Sequence, residues 1–138
     1  RSGRAAPGDV FVLSPSLKSQ RRTPLKLLEN LLSAAGVPVH VPGDEDADAP
    51  DHLTRGKLVF ATFHQVKGLE RRVVVVFHFG CSYFDYFNRD APRDRCPPPL
   101  YVALTRPTDA LVLVGEECDG GHLPFLDRCA LLSAAKDC

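Results

Sequence analysis

The sequence predicts an α/β domain in which a mostly parallel sheet of about five strands lies between helices. Three observations lead there. Val73 to Phe77 is an unbroken apolar run of mainly β-branched residues, which needs cover on both sheet faces and so belongs in a parallel sheet. Further short apolar runs, Asp9 to Leu13, Leu58 to Ala61 and Ala110 to Val114, alternate with helical or polar connections. Between Thr23 and Gly36, leucines recur at helical spacing.

Asp9 to Leu13 is the first strand, stopped by Ser14-Pro15-Ser16 because proline cannot donate to a ladder. A polar loop with Lys18, Gln20, Arg21 and Arg22 follows. Thr23-Pro24 then supplies an N-cap and a first-turn proline. Leu25, Leu28, Leu31, Leu32 and Ala35 form the apolar stripe of the helix, and Gly36 its left-handed stop. Val37, Val39 and Val41 alternate with Pro38, His40 and Pro42; the spacing is that of a strand, and the prolines demote it to an edge or a short piece. Gly43 to Arg55 carries Asp44, Glu45, Asp46, Asp48 and Asp51 without apolar periodicity and reads as a solvated loop. It lacks the glycine and terminal glutamate placement of an EF-hand.

Leu58 to Ala61 leads into Thr62 to Glu70 (TFHQVKGLE), and Val73 to Phe77 leaves it. Two apolar runs around a polar loop place Thr62, His64, Lys67 and Glu70 at one sheet edge, where open α/β sheets bind ligands. A surface hairpin or crossover with solvated charges would have the same spacing. Tyr83, Phe84, Tyr86 and Phe87 follow as a partly buried helical turn or loop. Near Arg89, Arg93 and Arg95 they could stack on bases, although core packing is the commoner use of such rings. Pro97 to Pro99 start a helix running through Tyr101 to Arg106, and Ala110 to Val114 is a further buried strand. Leu123 to Ala135 is weakly helical.

The chain has 138 residues, with 17 basic and 17 acidic side chains, so no global charge draws it onto nucleic acid or an anionic membrane. No apolar run is long enough to span a bilayer, and the N-terminus lacks the apolar core of a signal peptide. An intracellular, soluble protein without membrane contact is expected. The five cysteines are odd in number and widely spaced, which predicts reduced thiols and no zinc site. Met and Trp are both absent, which suggests a fragment or trimmed domain.

Leu100 to Arg106 (LYVALTR) precedes the strand Ala110 to Val114. TFHQVKGLE entering one apolar strand and, after a spacer, YVALTR entering another resembles motifs V and VI of superfamily 1 DNA helicases of the UvrD/Rep type. Asp9 to Val41 is similar to the strand, polar loop, helix and strand that contain motif IV. The resemblance spans roughly residues 9 to 115 and implies a RecA-like three-layer αβα fold for residues 9–118, the second motor domain. Residues 1–8 remain a flexible segment and 119–138 a tail.

The resemblance implies that Arg106 is the arginine finger at the ATP γ-phosphate, a role that suits a planar, permanently charged donor. It makes Glu70 the acceptor for a ribose hydroxyl and Gly68 the point where backbone approaches the nucleotide. Thr62 and His64 would face single-stranded DNA, with Lys67 beside a phosphate or the DNA backbone, and Tyr101 and Thr105 would position motif VI. Gln20, with Arg21 beside it, falls where the family has an arginine on the γ-phosphate. Pro107 replaces the alanine usual after the motif VI arginine, which would stop the helix early. The implied cofactor is ATP with Mg2+, the metal being held by an N-terminal helicase motor domain in cis or in trans. No G-x-x-x-x-G-K-[ST] phosphate loop and no strand-borne Asp-Glu pair occurs in the sequence, so these residues alone should not hydrolyse ATP. A non-catalytic module that binds single-stranded nucleic acid or a protein is the alternative.

Overall fold

The computed structural model describes residues 4–17, 24–42, 54–66, 68–80, 83–92 and 94–115. Its strands are β1 (Val10–Ser14), β2 (Val39–His40), β3 (Leu58–Thr62), β4 (Arg71–Phe77) and β5 (Pro107–Val114). They form one five-stranded sheet in the order β2-β3-β1-β4-β5, and every neighbouring pair runs parallel. The expected α/β class is therefore the observed one. Helices α1 (Pro24–Ala34) and α2 (Pro98–Leu104), a 3-10 turn at Pro7–Asp9 and a π-helical turn at Tyr83–Phe87 accompany the sheet among the described residues. No helix among the described residues is long and apolar enough to cross a membrane.

The two faces of the sheet are covered by different parts of the chain. Phe11, Leu13, Val59, Ala61, Val74 and Val76 point to one face, where they pack with Phe63, Val66, Tyr83, Phe84, Leu100 and Ala103. Val12, Leu58, Phe60 and Phe77 point to the other, where Leu25, Leu28 and Leu32 of α1 pack on them. Period-two alternation in β1, β3 and β4 produces this division. α1 begins at Pro24 as predicted, and Gly36 takes φ +79° just beyond its end. Thr23, the expected N-cap, lies outside the described residues, as do the acidic loop at 43–53 and the tail at 116–138.

Three readings of the sequence need correction. Leu31 is 68% exposed and Ala35 is exposed, so the half-buried stripe of α1 that packs on the sheet is Leu25, Leu28 and Leu32; at about 100° per residue Leu31 lies on the flank. β5 is not buried: it is an edge strand, with Leu111 39%, Val112 45% and Val114 37% exposed. Its run of apolar residues matches that of β4, but β4 has β1 on its other side and β5 has no further strand among the described residues. The second helix ends at Leu104, with Thr105 as its C-cap, so Arg106 lies just beyond it, and Pro107 opens β5. The prolines around Val39 do place β2 at an edge, and core packing is the use made of Tyr83 and Phe84, 3% and 0% exposed.

Gly115 closes the carboxyl end of β5 against β4. Phe79 N–H donates to the Val114 carbonyl at 3.1 Å, and a Cβ on Gly115 would overlap the Phe79 carbonyl group. Gly115→Ala is expected to cost about 1–3 kcal/mol of stability in urea titration, because the overlap is with backbone that cannot rotate away.

Burial pushes the Tyr83 phenol and the Cys96 thiol upward. Both are neutral acids, so the unfolded chain releases these protons first. Their contribution to stability is full below the unfolded values of about 8.5 for the thiol and about 10 for the phenol. It is lost as pH rises through the higher folded values. The urea midpoint should fall across this alkaline window, and Tyr83→Phe should flatten the part above about pH 10.

Candidate functional site

The residues singled out in the sequence divide between two opposite edges of the sheet. Thr62 is the last residue of β3, level with Ser14 at the end of β1. It therefore lies at the carboxyl edge, together with the exposed His64. Glu70 immediately precedes β4, whose first residue Arg71 is level with Pro107 at the start of β5. Glu70 and Arg106 therefore lie at the amino edge. The expectation of one common edge for Thr62, His64 and Glu70 is corrected: β3 and β4 are parallel, so the segment between them has to cross the full height of the sheet. Lys67, Gln20 and Arg21 lie outside the described residues.

At the carboxyl edge, Thr62 and Gln65 bind each other reciprocally. Thr62 N–H donates to Gln65 Oε1 at 2.9 Å and Gln65 N–H donates to Thr62 Oγ1 at 3.3 Å. This is the capping-box arrangement, here opening a turn. The Thr62 hydroxyl hydrogen is not used by this pair, so the group can still donate to a ligand. Phe63 and Val66, each 1% exposed, anchor the crossover to the core and leave His64 outside. His78, at the carboxyl end of β4, has φ 59°, a left-handed conformation that nothing in the sequence signals.

At the amino edge, Gly68 takes φ +83°, and nothing lies within 4 Å of where a Cβ would be. Glycine is needed here for the backbone turn, not to relieve crowding within the chain. The turn brings Leu69 and Glu70 out at the mouth of β4, beside the end of α2. Arg71 N–H donates to the Arg106 carbonyl at 3.1 Å, joining the two segments. The Arg106 guanidinium folds back over the junction: Nε donates to the Val102 carbonyl at 3.0 Å, Nη1 to the Leu69 carbonyl at 3.3 Å and Nη2 to Thr105 Oγ1 at 3.0 Å. Thr105 is itself fixed, its hydroxyl donating to the Val102 carbonyl at 3.0 Å. One N–H on each of Nη1 and Nη2 is left for another acceptor.

Three arginines lie near this edge, and their surroundings distinguish them. Arg71 is structural: Nη1 donates to the Lys57 carbonyl at 2.8 Å, and its guanidinium carbon lies 4.6 Å from the centre of the Phe11 ring. Arg72 is held between acids, with Nε 2.8 Å from Asp109 Oδ2 and Nη1 3.4 Å from Asp9 Oδ2. The hydrogen bond to Asp109, then the charges of Asp109 and Asp9, push it further up, so its charge is already matched. Arg106 and Glu70 take part in no ion pair among the described residues. A shallow depression of about 360 Å³ at Glu70 is lined by Gly8, Asp9, Glu70, Arg71, Arg72 and Thr108; Arg106 is not among its lining residues.

Tyr101 is 61% exposed on α2 and is not a core residue. The pairing of Arg72 with Asp9 and Asp109 was not foreseen, because these residues are far apart in sequence and meet only through the registers of β4 with β1 and with β5. Among the described residues, no group of three or more His, Cys, Asp or Glu is placed to hold a metal ion. Compared with protein-family models, with curated proteins and with solved structures, the chain matches none.

Proposed function

We propose that the protein is the second motor domain of an ATP-dependent DNA helicase or translocase. The observation that carries this reading is the meeting of Glu70 and Arg106 at one edge, both without ion-pair partners among the described residues, in a parallel α/β sheet. Two residues 36 positions apart, each picked out by a motif resemblance, become neighbours through the hydrogen bond from Arg106 to Leu69. The donor set fits one end of a nucleotide. Glu70 offers a solvent-facing carboxylate to a ribose hydroxyl, and Arg106 offers two unused N–H groups to phosphoryl oxygens. When bound, ATP with Mg2+ supplies the transferable phosphoryl group; its phosphate cradle and metal ligands belong to another motor domain, because this sequence contains no phosphate loop.

Thr105 holds the arginine at its Nη2 and leaves the rest of the fork pointing outward, so less side-chain freedom is lost when an anion arrives. Thr62 and His64 present a hydroxyl and an imidazole at the opposite edge, where single-stranded DNA is assigned. Phe63 to Glu70 joins the two edges directly, and Phe63 and Val66 lock it to the core. Closure of a second domain on the amino edge would therefore be felt at Thr62 through one short, packed connection.

The test joins this domain to a first motor domain in one chain and measures ATPase activity with and without single-stranded DNA. DNA-stimulated turnover supports the motor reading. Salt-sensitive binding of single-stranded DNA with no turnover would instead assign the domain to the non-catalytic class.

A further inference from the structure

We infer that Arg89 is a further contact of the single strand, taking a backbone phosphate at the carboxyl edge beside His64. This rests on the reading of Thr62 and His64 as the residues that face DNA. The sequence offers aromatic rings near arginines as platforms for bases. Tyr83 and Phe84 are buried and so withdrawn from that role, whereas Arg89 is exposed.

Packing brings Arg89 to the edge that carries Thr62. β4 ends at Phe77, one residue beyond Val76, which is level with Leu13, and β1 ends level with Thr62, so the chain leaves β4 at that edge. Phe63, between Thr62 and His64, has its ring centre 6.0 Å from that of Tyr83, the first residue of the π-helical turn. Asn88 is tied back to the same residue: its N–H donates to the Tyr83 carbonyl at 3.1 Å, and its Nδ2 to the Tyr83 hydroxyl at 3.5 Å. Thr62, His64 and Arg89 thus flank one aromatic contact that is itself part of the core.

The arginine is also held ready for an anion. A continuing α-helix would pair the Arg89 N–H with the Asp85 carbonyl. The turn ends there instead, and the Asp85 carbonyl accepts Arg89 Nε at 2.8 Å. Anchored at Nε, the guanidinium keeps both Nη groups for another acceptor, and Arg89 takes part in no ion pair among the described residues. Two parallel N–H groups on a fixed plane suit a phosphate. Asp85 and Asp90 are exposed on the same segment, so the contact is one guanidinium to one phosphate and not a basic patch.

The test measures binding of fluorescein-labelled oligo-dT and oligo-dA to the full chain by anisotropy over a range of salt concentrations. Arg89→Ala should weaken both by about five-fold at low salt and reduce the slope of log affinity against log salt by about 0.7. Arg89→Lys should keep the slope, because the charge remains. Asp90→Asn, which removes a nearby repulsion, should tighten binding. Arg55→Ala removes the same charge from an exposed position ahead of β3, at the amino edge, and should leave the slope unchanged. Equal effects of Arg55→Ala and Arg89→Ala would overturn the contact, since net charge alone would explain them. So would a loss shared by Arg89→Lys and accompanied by a lower urea midpoint, which would make Arg89 only a cap of the turn. An unchanged Arg89→Ala beside a weakened His64→Ala would overturn the contact and leave the DNA edge standing. No binding by the full chain even at low salt would overturn both.

Discussion

Arg106→Ala, in a chain that joins this domain to a first motor domain, is expected to reduce DNA-stimulated ATP turnover by about 10³-fold or more, within the range of 10³ to 10⁵ typical of arginine fingers. Binding of single-stranded DNA should change little, because Thr62 and His64 lie at the other edge of the sheet. The side chain also makes local contacts, through Val102, Leu69 and Thr105, so a loss of activity could come from a disturbed loop. Arg106→Lys distinguishes the two causes. Lysine keeps the charge and can reach one carbonyl, but it lacks the planar fork, so it should preserve the urea midpoint and still fail to restore turnover. Full turnover by Arg106→Ala would refute the assigned role.

Phe60→Ala should destabilise the domain by about 3–5 kcal/mol, the range for removing a large aromatic side chain from a core. Phe60 is 1% exposed in β3 and is part of the cluster that joins α1 to the sheet. With Val12, Leu58 and Phe77 it meets Leu25, Leu28 and Leu32, and few other buried residues on that face could close the space. A domain of this size is held together by about 5–15 kcal/mol, so a large share of the margin would go. Thermal unfolding should shift down by about 10 °C or more. Leu31→Ala is the matched control: Leu31 is 68% exposed, and its loss should cost no more than about 0.5 kcal/mol. An equal effect of the two substitutions would mean that α1 packs on a different face from the one described.

The Leu31 comparison also shows where local pattern stops. Leu25, Leu28, Leu31 and Leu32 are equally apolar and all lie within reach of one helical stripe; which three pack on the sheet depends on how α1 rotates to meet Val12 and Phe60. In the same way, Val73 to Phe77 and Ala110 to Val114 read alike, and only the strand order makes the first interior and the second an edge. Side-chain periodicity reports which residues could face a core, but not whether a neighbour arrives to form one.

For the candidate site, the residue types and their order along the chain were legible: a glycine turn ahead of an acid, and a threonine-arginine pair after an apolar helix. Gly68 and Gly36 adopt positive φ, as turn-forming glycines do, because that restriction is local to each residue. Placement was not legible. TFHQVKGLE looks like one loop at one edge, yet parallel pairing of β3 and β4 with β1 forces it across the sheet, sending Thr62 and Glu70 to opposite ends.

By itself, the sequence determined that alternating apolar runs and helical connections would build a parallel α/β sheet, since burying a strand on both faces leaves few other arrangements. It also named Glu70 and Arg106. Only the tertiary structure decided that these two meet at the amino edge, that Arg71 and Arg72 there are already engaged, and that β5 is an edge strand among the described residues. Each of these depends on strand order and register, which arise from contacts between residues far apart in the chain and leave no mark in any short stretch of it.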